Sequence, residues 1–161
     1  MLEEIRYETA GTPFHQMNCH CSICRRTTGA PFVAWFSVPR SKFRFVQGAP
    51  TRFRSTPKGM RSFYPHCGTQ LTFKHDDASD EIDVPTCSLG DPERLPPEDH
   101  TRTSSKLGWV KLADGRATEA TTFKHFNCLL TRGTTVMLNA RFSGPQRQAE
   151  RCRCGFAASQ C

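Results

Sequence analysis

Cys19, Cys21 and Cys24 fall within six consecutive residues of NCHCSICRRTTGAPF (18–32), and that spacing constrains the backbone more than any other feature of the chain. In a regular strand, residues two apart share a face, but their sulfurs would stand roughly 6–7 Å apart. Two thiolates on one zinc ion need bonds of about 2.3 Å each, which brings the sulfurs to within about 4 Å. A metal-holding trio therefore requires a bent backbone at Cys19 and Cys21 and a turn that closes Cys24 back onto the pair. Three thiolates leave a divalent ion with a net negative charge. Arg25 and Arg26, directly behind the trio, could offset that charge or hold an anionic substrate. Gly29 lets the chain turn sharply before the apolar run that follows. Reduced thiols or a disulfide in a loop would use the same residues, whereas cubic iron–sulfur clusters generally want four cysteines. The spacing leaves open whether a fourth metal position is free for chemistry.

Nine cysteines in 161 residues would suit a disulfide scaffold, but the count is odd and the spacing tight. The opening residues, MLEEIRYE, have neither the basic start nor the apolar middle of an export signal. No run approaches the ~18 apolar residues of a membrane span. The expectation is a cytoplasmic protein with reduced thiols and no membrane partner. A net charge of +7 would help to draw in small anions. The basic residues form no continuous block, which makes nucleic acid an unfavoured partner.

Twelve Phe, eleven Gly and eleven Pro scattered through the chain suit short strands and many turns. Strands are expected over 3–9, 31–38, 42–48 and 51–56, with GAP turning between the last two. A strand, Cys-Gly turn and strand follow over 60–75, then another strand near 81–87. The Pro-rich stretch after it offers at most one helical turn around 91–95, and no segment promises a three-turn amphipathic helix. Composition changes after Gly115. Residues 1–116 read as the folded domain. Residues 117–161 read as an atypical, partly disordered extension with one plausible strand over 134–142.

In order, CHCSICRRTTGAPFVAWFSVP, FRFVQGAPTRFRSTP, RSFYPHCGTQLTF and DEIDVPTCSLGDPERLPPEDHTRTSSKLGWVKLADG resemble the glutathione-dependent formaldehyde-activating enzyme family, whose domain also occurs in centromere protein V. The resemblance implies a mainly β protein of small antiparallel sheets, the β-tent, built around two zinc sites. It implies a catalytic zinc held by Cys19, Cys21 and Cys24. The implied activity is that of a carbon–sulfur lyase acting on S-hydroxymethylglutathione-like adducts, run toward condensation of formaldehyde with glutathione. The family's structural zinc uses an opening C-x-C-G and a later F-C-x-x-C-G. Here the opening pair is missing, and FYPHCG keeps only Cys67, with Tyr64 where the first cysteine would stand. One zinc site is therefore expected and the structural one is expected to be lost, at some cost in stability. The tail's Cys152 and Cys154 have the shape of the missing opening motif, although an unrelated cysteine-rich end accounts for them more simply.

On the metal, the open position could lower the pKa of a bound thiol or polarise an aldehyde oxygen. Glutathione carboxylates are expected at Arg25, Arg26 or Lys42 on charge alone. His20 is expected to point to solvent, Trp35 to be core, and Trp109 to pack first and wall a pocket second. Asp80, Glu81 and Asp83 read as a solvated face or edge charge, and Cys87 and Cys128 as small buried groups or free thiols. The alternative is a non-catalytic zinc module or pseudoenzyme that binds a macromolecular partner, supported by the FRF and RFR segments. The oligomeric state is not legible.

Overall fold

The computed structural model describes residues 5–121 and 138–142. In chain order the elements are β1 (Ile5–Thr9), β2 (Phe14–Cys19), α1 (Ser22–Thr28), β3 (Val33–Pro39), β4 (Phe43–Gln47), β5 (Thr51–Thr56) and β6 (Gly59–Phe63). They continue as β7 (Gln70–His75), β8 (Glu81–Pro85), β9 (Asp99–Thr101), β10 (Ala117–Thr118) and β11 (Leu138–Phe142). The protein is mainly β, as expected. Two sheets form, one ordered β11-β1-β4 and the other β10-β9-β2-β3-β8-β7-β6-β5.

Several details differ from the sequence reading, and β2 and the two-residue β10 are not among the expected strands. The segments on either side of GAP do not form a hairpin: β4 pairs with β1, and β5 pairs with β6. The stretch after Pro92 contributes the parallel strand β9 beside β2, as well as the expected helical turn at Pro92–Arg94. Three residues are too few to show an alternating pattern, so β9 left no periodic signal. β11 falls within the strand expected over 134–142 and pairs antiparallel with β1, Tyr7 opposite Ala140. Cys128, Cys152 and Cys154 lie outside the described residues.

The larger sheet buries apolar side chains on both faces, and β3 shows how. Its run of Val, Ala, Trp and Phe lacks polar alternation because neither face meets water. Successive side chains point to opposite faces. Phe36 and Val38 join a core with Ile5, Tyr7, Phe43, Tyr64, Leu71, Ile82 and Val84. Val33 and Trp35 turn the other way, onto Met17, Cys19 and Cys24. β8 repeats the division, with Ile82 and Val84 in the first core and Asp83 between them facing the second side. In β7 the ladder slips: Ser62 pairs with Thr72 but Phe63 with Gln70, so Leu71 is an extra residue. That bulge re-aims the strand. Leu71 serves the first core, and Phe73 packs on the sulfur side.

Tyr64, where the resembling family has a zinc-binding cysteine, is 2% exposed and belongs to the first core. Its backbone N–H donates to the Thr69 carbonyl and its carbonyl accepts from Gly68, which closes the β6–β7 turn. Cys67, on the outside of that turn, is an exposed thiol paired with the Thr69 hydroxyl at 3.0 Å. A buried aromatic thus stands where the resemblance would put a ligand.

Candidate functional site

The cysteine loop bends where the ligand argument requires it, and a short helix does the bending. β2 ends at Cys19, and α1 begins at Ser22 with Cys21 as its N-cap. The Cys21 sulfur accepts a hydrogen bond from the Cys24 N–H at 3.2 Å, the part a Ser or Asp oxygen usually plays. The helix ends at Gly29, whose left-handed φ of 70° allows its N–H to reach the Arg25 carbonyl at 2.8 Å. Seven residues are too few for a helical period to show in sequence, so this element was not anticipated.

The result is that the sulfurs of Cys19, Cys21 and Cys24 all lie within 4.8 Å of one another. That is near the separation of about 4 Å set by a tetrahedral ion with 2.3 Å bonds. Among the described residues no other group of three His, Cys, Asp or Glu side chains meets at such range. Contact with Cys19 and then Cys24 pulls the Cys21 thiol well below its usual range, and the contact with Cys21 pushes Cys19 up. Without a cation only one of the crowded sulfurs ionises readily. A divalent ion would remove that conflict, so the donor set fits a thiophilic metal.

A cavity of about 400 Å³ adjoins the trio, walled by Met17, Trp35, Phe73 and the three cysteines, with Arg61 and Asp83 among its polar groups. Strand register assembles one wall. Arg61 of β6 stands opposite Phe73 of β7, Phe73 opposite Asp83 of β8, and Asp83 opposite Ser37 of β3. Directly opposed residues share a face, so these four form a row across the sheet. The Arg61 guanidinium lies 4.5 Å from the Phe73 ring centre and 5.9 Å from that of Trp35. Ser37 donates to Asp83 Oδ1 at 2.6 Å. Burial, opposed by that hydrogen bond, pushes the Asp83 carboxyl up to about 7. Asp83 is therefore half-buried in the cavity wall and not an edge residue, and β8 is an interior strand.

His20 also corrects its expectation. Alternation carries it away from the sulfurs, but the opposite side is protein, and the ring is fully buried. Its Nε2 lies 2.9 Å from His100 Nδ1, and its ring centre is 5.0 Å from that of Phe32. His100 Nε2 in turn meets Asp114 Oδ2 at 3.0 Å, and Arg116 donates to the same oxygen at 2.6 Å. Burial and then His100 push His20 down to about 4, so it is neutral near pH 7. This chain ties the cysteine loop to β9.

Arg25 and Arg26 lie on α1, and neither lines the cavity. Lys42 is exposed in the turn before β4. Trp35 is buried, as expected, whereas Trp109 is 67% exposed and does not line this cavity. Cys87 is an exposed free thiol. Arg61, Phe73 and the His20–His100–Asp114 chain went unrecognised in the sequence. The available signal for Arg61 was a basic residue at an inward position of a strand that otherwise reads as half-buried.

No helix among the described residues is long and apolar enough to cross a membrane. Residues 2–105 match the family described as glutathione-dependent formaldehyde-activating enzyme. A crystal structure of a Rhodobacter sphaeroides protein is similar at 23% identity and a TM-score of 0.42, over 73% of this chain and 92% of that one.

Proposed function

The chain belongs to the glutathione-dependent formaldehyde-activating enzyme family, and from that premise we propose that it is a zinc-dependent carbon–sulfur lyase-type enzyme joining a small thiol such as glutathione to formaldehyde. The observation that carries this reading is the sulfur trio, closed to within 4.8 Å and opening on the 400 Å³ cavity.

In this reading Cys19, Cys21 and Cys24 hold the metal. Zinc bound there supplies charge that lowers the pKa of a thiol or polarises an aldehyde oxygen. In the reaction, the thiol loses its proton, its sulfur forms a bond to the aldehyde carbon, and the carbonyl π pair moves to oxygen, which takes a proton. Asp83 suits both transfers, because a carboxyl near 7 can accept the thiol proton and return one to the oxygen at neutral pH. Met17, Trp35 and Phe73 exclude water from the reacting groups. Arg25 and Arg26, outside the cavity, would meet the carboxylates of the part of glutathione that stays outside. The site of action is the cytoplasm, in keeping with thiols that must stay reduced.

The test is consumption of formaldehyde with and without glutathione, together with metal content. The zinc-loaded protein is expected to accelerate the thiol-dependent reaction. Cys21→Ser is expected to lose both the acceleration and about one zinc per chain. A zinc-loaded protein with no thiol-dependent turnover would defeat the enzyme reading. A second reading, a module for a macromolecular partner, is favoured by β5, where Phe53 is 57% exposed between Arg52 and Arg54. That reading predicts nucleic-acid binding that weakens steeply with salt.

A further inference from the structure

Arg61 is only 6% exposed, yet it lines the cavity. Its Nε donates to Ser55 Oγ at 3.2 Å, and its Nη2 approaches the Cys24 sulfur at 3.9 Å. Its Nη1 is shielded from solvent and has no hydrogen-bond partner among the described residues. A buried charged donor left unmade is costly, and hydrogen bonds between ions are the strong ones. Stacking on Phe73 holds the guanidinium in place without using its N–H groups. The cavity wall therefore holds a positioned guanidinium beside the sulfur trio, with one of its N–H groups unpaired among the described residues.

We propose that Arg61 sets the specificity of this cavity by taking an anionic oxygen that the ligand carries close to its own sulfur. The proposal deepens the reading of the trio as a thiol-handling centre and rests on it. The closeness of Arg61 to Cys24 defines the ligand class. With Arg61 Nη2 3.9 Å from the Cys24 sulfur, an oxygen held by Arg61 would lie near a ligand sulfur held at the trio only if few bonds separate the two. Short mercapto acids meet that condition, and so does the developing alkoxide of a thiol–aldehyde adduct. The carboxylates of glutathione lie further from its sulfur. The cavity's own carboxylates do not exclude an anion. Asp77 is paired with Lys58 at 2.8 Å, Asp83 is pushed up to about 7, and Glu81, on the same face of β8 as Asp83, is faced in the lining by the cations Arg61 and Arg102.

The simpler role for Arg61 is to offset the charge of the thiolates, and the experiment separates the two. Trp109→Phe leaves Trp35, in the cavity wall, as the one tryptophan of the chain. The zinc-loaded protein in this background is titrated by fluorescence with mercaptoacetate and with its neutral analogue mercaptoacetamide. Salt is kept at about 0.15 M, where the Debye length is about 8 Å and surface charge is largely screened. The parent is expected to prefer the carboxylate by on the order of 10- to 100-fold. In Arg61→Gln the preference is expected to fall to within about threefold, with zinc content unchanged. Arg61→Lys keeps the charge but loses the planar fork, so its preference is expected to fall at least about fivefold; this variant decides if the glutamine form does not fold. Equal affinity for the two probes in the parent, or a preference that survives both substitutions, overturns the assignment of Arg61 alone. A parent that binds neither probe overturns that assignment and the reading of the sulfur trio together.

Discussion

Asp83 sits between Ile82 and Val84, in a strand whose other carboxylates, Glu81 and the preceding Asp80, make the segment read as solvent-facing. Its neighbours across the sheet, Ser37 and Phe73, reverse that reading. Because its carboxyl is held near 7 when folded, against 3.8 ordinarily, the native state binds the extra proton between those values. Its favourable contribution is complete below the lower value and is lost as pH rises through the upper one. Urea denaturation of Asp83→Asn and the native protein should therefore diverge with pH. From about pH 4 to pH 8 the native protein is expected to lose ~1–4 kcal/mol relative to the variant. Parallel curves would show that the carboxyl titrates normally. Arg61 and His20 teach the same lesson, since each looks like a surface residue in sequence and each is buried by partners from distant strands.

The helix α1 is the element that converts a spacing into a site. It is too short to persist alone and depends on its ends: the Cys21 sulfur at the start and Gly29 at the finish. A Cβ built on Gly29 would meet nothing within 4 Å, so the cost of a side chain there is conformational alone. Gly29→Ala is expected to lower stability by roughly 1 kcal/mol, read as a lower denaturation midpoint at unchanged slope. Metal content should persist, because the sulfurs lie at the other end of the helix. Gly59 contrasts with it, since a Cβ there would fall 2.5 Å from Thr56 Oγ1 and 2.9 Å from the Phe73 ring. A side chain at Gly59 would therefore push against the Phe73 ring, which stands opposite Arg61 in the row.

At the scale of the whole molecule, the two faces of the larger sheet have different tasks. One packs against β1 and β4 through Tyr7, Phe43 and Phe36; the other bears the sulfur trio and the cavity. With Tyr64 in the first core, the fold has apolar packing where the resembling family has a structural zinc. Among the described residues the trio is the one group placed to hold a metal, and a metal bound there would stabilise the fold. Binding to the folded state only raises stability with the logarithm of metal saturation. A strong chelator is accordingly expected to lower Tm by several degrees in the native protein and by nothing further in Cys21→Ser. An equal fall in both would place a stabilising metal elsewhere.

The local pattern of the chain by itself determined the β class, most strand positions and the clustering of Cys19, Cys21 and Cys24, because alternation and close spacing act over a few residues. Only the tertiary structure decided that β4 leaves β5 for β1, that the bulge at Leu71 turns Phe73 toward the sulfurs, and that Arg61, Phe73, Asp83 and Ser37 align. Those outcomes depend on which strands pair and in what register. Register is settled by burying both faces of a sheet at once, a condition on residues far apart in sequence that no local window contains.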